Sequence, residues 1–217
     1  MVVSIFTLMS DAATHRFRDV PAPGDELCLA FANTRYRRGR ETPTETLHDA
    51  GDLLAWCERE GALDQKSARE LSAWARREPD AATRLFDAAI AARETLYRLF
   101  SRKADDNATV APRDVTALNA LLAAAPGRES LAMEKDTALW RIAPAVPEVA
   151  SLLAPVIWSA GDLIAGTRSA RARLCANDKC RWLFLDDSKS GTRRWCSMSS
   201  CGNRAKAHRH YMRKIGA

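Results

Sequence analysis

Apolar residues recur every three or four positions through most of this chain, the spacing that lays them along one side of a helix. A first helix is expected to start at Gly24-Asp25 and to carry Leu27, Phe31 and Thr34 on one side, with Gly39 available to end it. Asp49 or Asp52 is placed to cap a second, whose apolar face is Leu53, Leu54, Trp56 and Cys57 and whose end is Gly61. Asp64 opens a third, with Ala68, Leu71 and Trp74 at helical intervals. Pro79 suits the first turn of a long helix through Leu85, Phe86, Ala89, Ile90, Leu96, Tyr97 and Phe100, because its missing N–H has no partner to lose there. Pro112 introduces Val115, Leu118, Leu121 and Leu122 in the same way.

The rhythm changes between Leu131 and Ile142. Apolar and polar residues alternate there around Lys135-Asp136-Thr137, which predicts a β-hairpin. Helical spacing resumes after Pro147 through Leu152, Leu153, Val156, Ile157, Leu163 and Ile164, with Pro155 placed to kink it. Gly166 and the basic run Arg168–Arg173 mark a boundary, and no internal repeat or low-complexity tract interrupts the chain. The fold class expected is α+β: a mostly α-helical N-terminal domain with a small β-hairpin, followed by a small C-terminal module.

At 217 residues, 47% of them apolar, the chain can bury one medium core and carry a small module beside it. Its net charge of +6 hides a division. From Arg168 onward there are 13 Lys+Arg against 3 Asp+Glu, a formal +10, whereas Met1–Thr167 has 20 against 24, a formal −4. Basic charge confined to a small module points to a polyanion partner, most simply nucleic acid, against the plainer reading of a solvated face. The N-terminal part is expected to fold alone, on its own core, and to have no affinity for nucleic acid. No segment is long enough to cross a membrane. Val2–Met9 is apolar but short and lacks basic residues ahead of it, so it reads as an incidental start rather than a secretion signal, and the expected location is cytoplasmic.

Four of the six cysteines form two pairs, Cys175/Cys180 and Cys196/Cys201, with four residues inside each pair and fifteen between the pairs. A thiolate pair on a tight turn can grip half of a tetrahedral metal and a second turn can close it, which is the arrangement of a structural zinc site with one ion per chain. Two disulfides, or buried thiols that never meet, are the other readings, and disulfides would need an oxidising compartment. Cys28 and Cys57, on apolar helix faces, read as small buried hydrophobes. His15 and His48 are isolated and take no role, and His208 and His210 read as polar or phosphate-facing because four thiolates already fill the metal. There is no nucleophile–base pair, no carboxylate arrangement and no phosphate loop, and a fully cysteine-ligated zinc has no open position, so no enzymatic activity is expected. Asp186 and Asp187 beside Ser188 read as turn-formers.

The residues around these cysteines carry a resemblance. Cys201-Gly202-Asn203-Arg204 matches the four residues that name the CGNR zinc-finger family, and Cys180-Arg181-Trp182-Leu183-Phe184-Leu185-Asp186-Asp187-Ser188 with Arg193-Arg194-Trp195-Cys196 resembles the family's first half. In that family the finger follows an N-terminal domain called ABATE, described as a stress-induced transcription regulator. The domain's opening resembles Leu27-Cys28-Leu29-Ala30-Phe31-Ala32-Asn33-Thr34-Arg35, with Ala30 where the family usually carries an acidic residue. The resemblance implies an ABATE-like helical domain over residues 17–167, acting as sensor or regulator, and a CGNR-type finger over 168–217 that binds DNA.

If the segment after Cys201 is helical, Lys206, Arg209 or His210, and Arg213 share one face, with Arg193, Arg194 and Arg204 on the same small scaffold. Such a cluster would contact phosphates first. Trp182, Phe184 and Trp195 read as the module's core rather than as stacking platforms. Asn33, Thr34 and Arg35, at the polar end of an apolar helix, are candidates to line a pocket for a small-molecule ligand, or to hydrogen-bond a neighbouring loop. The function expected is a DNA-binding transcription regulator of the stress-response type, in which the N-terminal domain senses a ligand or mediates assembly, for instance as a homodimer. RNA binding is a variant of this reading. The alternative from another class is a zinc-stabilised protein–protein interaction module that recruits an acidic partner without touching DNA.

Overall fold

The computed structural model describes residues 17–104 and 109–215, so the stretch Val2–Met9 and His15 lie outside the described residues. In chain order the elements are β1 (Arg18–Pro21), α1 (Leu27–Ala32), β2 (Arg35–Tyr36), β3 (Thr44–Glu45), α2 (Ala50–Arg59), α3 (Gln65–Arg77), α4 (Pro79–Lys103), α5 (Pro112–Ala124), β4 (Ser130–Glu134), β5 (Thr137–Ile142), α6 (Val149–Leu152) and α7 (Ala154–Ala165). A 3₁₀ turn (Thr167–Arg171) then leads to β6 (Ala172–Leu174), β7 (Leu183–Leu185), a π-type turn (Met198–Gly202) and α8 (Asn203–Ile215).

Local chemistry accounts for most of these boundaries. The Asp49 carboxylate accepts the backbone N–H of Asp52 at 2.9 Å and caps α2, and Asp64 does the same for Ser67 and α3. Pro79 and Pro112 sit in the first turns of α4 and α5. Gly61 takes φ 75° just beyond α2, a conformation open to a residue without Cβ. Pro155 breaks rather than kinks its helix: α6 stops at Leu152, and α7 starts afresh with the proline in its first turn.

Two departures concern the first helix and the sheet. α1 ends at Ala32, well short of Gly39, because Thr34 turns its hydroxyl back to the Phe31 carbonyl at 2.8 Å and the chain leaves as β2, paired antiparallel to β3. The expected hairpin, β4–β5, gains an unforeseen third strand, since β1 pairs antiparallel to β5 in the order β1-β5-β4. Val20, Ile142, Ala154 and Trp158 form the small core beneath this sheet.

The main core centres on α1, whose Cys28, Leu29, Phe31 and Ala32 are buried between α4 and α7. The Ser159 hydroxyl on α7 accepts the Cys28 N–H and donates to the Gly24 carbonyl, both at 3.0 Å, which fixes the helix start. The core does not stop at Thr167. Ala172, Leu183 and Leu185 of the β6–β7 hairpin belong to it, so the expectation of two separate cores is corrected. The physical reason is Asn33, whose amide donates to the Leu183 carbonyl at 2.8 Å and accepts the Leu183 N–H at 3.0 Å, as another strand would. Arg168 adds an ion pair to Asp25 and another to Asp187 at 2.7 Å.

A buried charge network lies beside this junction. Arg93 is 1% exposed and forks onto both oxygens of Glu45 at 2.6 and 2.7 Å, while Arg38 forks onto Glu94 at 2.7 and 3.0 Å. Burial pushes both carboxyls up, but the arginine hydrogen bonds and charges outweigh it and hold them below the usual glutamate value. A depressed folded pKa contributes stability that is present above the unfolded value and lost as pH falls through the folded one. Urea midpoints should therefore fall as pH drops from about 5 toward 3, and Glu45→Gln/Glu94→Gln, already less stable at neutral pH, should show a weaker fall.

Candidate zinc centre and nucleic-acid surface

The first cysteine pair is held by the β6–β7 hairpin. Cys175 follows β6 and donates its N–H to the Trp182 carbonyl at 2.9 Å, and the Asn177 carbonyl accepts the N–H of Cys180 at 2.7 Å and of Arg181 at 3.1 Å. The Asn177 side chain closes the same turn, accepting the Lys179 N–H at 3.0 Å and donating to Cys201 Sγ at 3.6 Å. The second pair lies on a connection organised by Asp186. That fully buried carboxylate accepts from the Ser188 N–H and hydroxyl and from the Arg193 N–H. These bonds, the Ser188 hydroxyl foremost, keep it below the usual aspartate value. The Ala176 N–H to Arg194 carbonyl bond, 2.9 Å, then joins the two halves.

All four Sγ atoms lie within 4.8 Å of one another, with Cys180–Cys196 at 3.7 Å and Cys196–Cys201 at 3.9 Å. A tetrahedral zinc with sulfur ligands at about 2.3 Å separates its ligands by about 3.8 Å, whereas a disulfide holds sulfurs at about 2.05 Å. The geometry fits the metal and excludes the bridges. The electrostatics agree. The Cys180 hydrogen bond brings the Cys175 thiol down to about 5, while Cys180 is driven well above its ordinary value. Burial, then the charge on Cys175, pushes Cys196 up to about 12. Four clustered thiols cannot all ionise alone, and a divalent cation supplies the missing charge. Cys175, Cys180, Cys196 and Cys201 thus form a four-thiolate site for one structural zinc ion. Cys28 and Cys57, buried and pushed up to about 12, stand apart from it as inert thiols.

The residues after the fourth ligand each have a place. A Cβ on Gly202 would meet Met198 Sδ at 2.6 Å. Asn203 donates to the Ser199 carbonyl at 3.4 Å, and the Arg204 guanidinium lies 3.9 Å from Cys201 Sγ and 3.4 Å from the Ser200 carbonyl. Beyond them α8 has no buried residue and packs chiefly on the π-type turn at its start. At roughly 100° per residue, Lys206, Arg209 and Arg213 fall within about 60° of one another, and Arg204 lies on the far side. All four are exposed, and no carboxylate occurs on the helix.

The other candidates are placed differently. Arg193 is exposed, yet its guanidinium binds the carbonyls of Trp195 and Cys196 and lies 4.6 Å from the Phe184 ring centroid, bracing the second cysteine turn. Arg194 lies over Trp195. Phe184 packs with Cys175 and Cys201, and Trp195 borders them, as core residues should. Trp182 instead is 36% exposed and meets Tyr36 edge-on at 6.1 Å. Asn33 spends its amide on Leu183, and the Thr34 hydroxyl donates to Phe31 and accepts from Arg93 at 3.2 Å. Arg35 lies half-buried on β2 opposite Glu45. Asp186 acts as the turn-former its place beside Ser188 suggests, although its burial was not foreseen, and Asn177, which also shapes the centre, was missed by spacing arguments. The available signal was a short polar side chain inside the first cysteine pair and an aspartate directly after an apolar triplet.

The family profile of ABATE, described as "Putative stress-induced transcription regulator", matches residues 25–167, and that of the CGNR zinc finger matches residues 171–214. Neither is an enzyme family. No curated protein matches the chain. Among the described residues no helix is long and apolar enough to cross a membrane. The chain belongs to the ABATE family and carries a CGNR zinc finger whose four cysteines form a site for one structural zinc ion.

Proposed function

We propose that the protein is a cytoplasmic DNA-binding regulator in which residues 168–217 hold the duplex and residues 17–167 sense a ligand or mediate assembly. The observation that carries this reading is α8 itself. It is an exposed helix that projects from a zinc centre, carries five Lys and Arg with no carboxylate, and aligns Lys206, Arg209 and Arg213 on one face. A helix of this kind fits the major groove and contacts phosphates first. The zinc fixes its starting direction, and the reducing cytoplasm keeps four thiolates available to the metal.

A second reading has its own support. Tyr211 and Ile215 are 60% and 59% exposed and lie on the side of α8 away from the basic stripe, apolar positions that would suit a protein partner. Titrating the zinc-loaded full chain with random duplex across salt concentrations separates the two. Phosphate contacts make log K fall steeply with log salt, by about 0.9 per contact. A weak and nearly flat response would return the finger to protein recognition.

A further inference from the structure

The charge sum of −4 for the N-terminal part conceals a local exception. Arg37, Arg38 and Arg40 follow β2, and while Arg38 is clamped by Glu94, Arg37 and Arg40 are exposed. Both line a cleft of about 160 Å³ that the N-terminal part forms with the finger. Lys179 and Arg204 bring the cations to four and no Asp or Glu lines the cleft, so even with the formal −2 of four thiolates on one Zn²⁺ the cleft keeps a net positive charge. Tyr36 and Trp182 make one wall, and the zinc centre makes the floor. Among the described residues, none of the four cations is in an ion pair with a carboxylate.

The backbone is shaped to hold this cleft. Of the three described non-glycine residues at positive φ, two flank it: Arg37 at 53° and Arg181 at 52°, whose carbonyl accepts the Tyr97 hydroxyl at 2.9 Å. A non-glycine residue holds such a conformation only where the surrounding structure imposes it. Gly39 packs so tightly on the finger that a Cβ there would sit 1.5 Å from the Asp178 carbonyl oxygen. The volume suits one phosphate group and falls short of the roughly 300–1,000 Å³ of pockets for drug-sized ligands.

Arg204 and the cleft lie on the side of α8 opposite the Lys206/Arg209/Arg213 stripe. A helix with side chains is about 10–12 Å across, and the major groove it would enter is about 12 Å wide and walled by two phosphate backbones. We propose that the cleft seats a backbone phosphate of the DNA strand opposite the one contacted by the stripe, so that the ABATE domain, through Arg37 and Arg40, forms part of the nucleic-acid interface. The proposal rests on the reading of the finger as DNA-binding. Residues 17–167 alone lack Lys179 and Arg204 and do not make this site.

The test compares zinc-loaded full-length Arg37→Ala/Arg40→Ala with wild type in duplex titrations over a salt series. An Arg77→Ala/Arg84→Ala variant, on α3 and α4 outside the cleft, removes the same charge. Loss of two phosphate contacts should weaken binding and reduce the salt slope by about two units, with zinc content and melting temperature unchanged, while the control keeps the wild-type slope. An unchanged slope in Arg37→Ala/Arg40→Ala, or an equal change in the control, overturns the proposal. So does loss of zinc at an unchanged slope, which would assign the arginines to balancing thiolate charge. If wild type binds and the α8 stripe variant described below loses affinity while Arg37→Ala/Arg40→Ala does not, the cleft alone fails. If wild type shows no salt-dependent binding, the DNA reading fails and the cleft with it.

Discussion

Cys201→Ser is expected to abolish stoichiometric zinc and to lower the melting temperature of the whole chain by roughly 10 °C, not merely to fray its end. Cys201 is buried at the centre of the finger cluster and receives hydrogen bonds from Asn177 and Arg204. Its loss opens the coordination shell, and apparent zinc-binding energies of about 10–16 kcal/mol in small fingers rival the total stability of a domain. The hairpin that carries Cys175 and Cys180 also buries Ala172, Leu183 and Leu185 in the main core. A hairpin that loosens exposes these side chains and leaves Asn33 without the Leu183 backbone, and an unpaired buried amide costs about 1–3 kcal/mol. Calorimetry and elemental analysis check the prediction together. A variant that loses zinc while its main transition stays at the wild-type temperature would show that the hairpin does not depend on the metal.

The second large effect concerns α8. Lys206→Ala/Arg209→Ala/Arg213→Ala removes a stripe that spans about 10 Å at 1.5 Å per residue. Duplex binding should weaken sharply, and its salt slope should fall by about three units, one for each lost phosphate contact. Zinc content and thermal stability should hold. The three side chains are exposed and are not ligands, exposed charges contribute little to folding, and alanine favours the helix. Fluorescence anisotropy at several salt concentrations gives affinity and slope at once. Unchanged values in a variant that keeps its zinc would remove this helix as the DNA contact.

Elements set by local chemistry were legible in the sequence. The caps at Asp49 and Asp64, the prolines opening α4 and α5, the β4–β5 hairpin and the paired cysteines each act within a few residues of themselves. What stayed hidden depends on distant partners. β1 is four residues without a clear alternation and exists because β5 offers it an edge. β6 and β7 have three residues each, too short for an alternation to show; β6 lies at the end of a basic run, and nothing local reveals that Asn33, 150 positions from Leu183, bonds the backbone of β7. Arg93 sits on an otherwise apolar helix face, and only the position of Glu45 explains its burial. Arg37 and Arg40 carry no signal in the local pattern, and they become part of a cleft only because the finger packs beside them. In each case the interaction that decides the outcome joins segments that periodicity treats separately.

The central claim is that zinc organises a basic surface that holds duplex DNA, and add-back of metal tests it most directly. Full-length protein is stripped with a chelator under reducing conditions and returned to zinc in steps, with bound metal and duplex affinity read from the same samples. The account predicts that salt-dependent binding is absent in the metal-free chain and returns in proportion to zinc, saturating at one equivalent. Duplex binding that survives metal removal unchanged, or a chain refilled to one equivalent that shows no salt-dependent affinity, would contradict it.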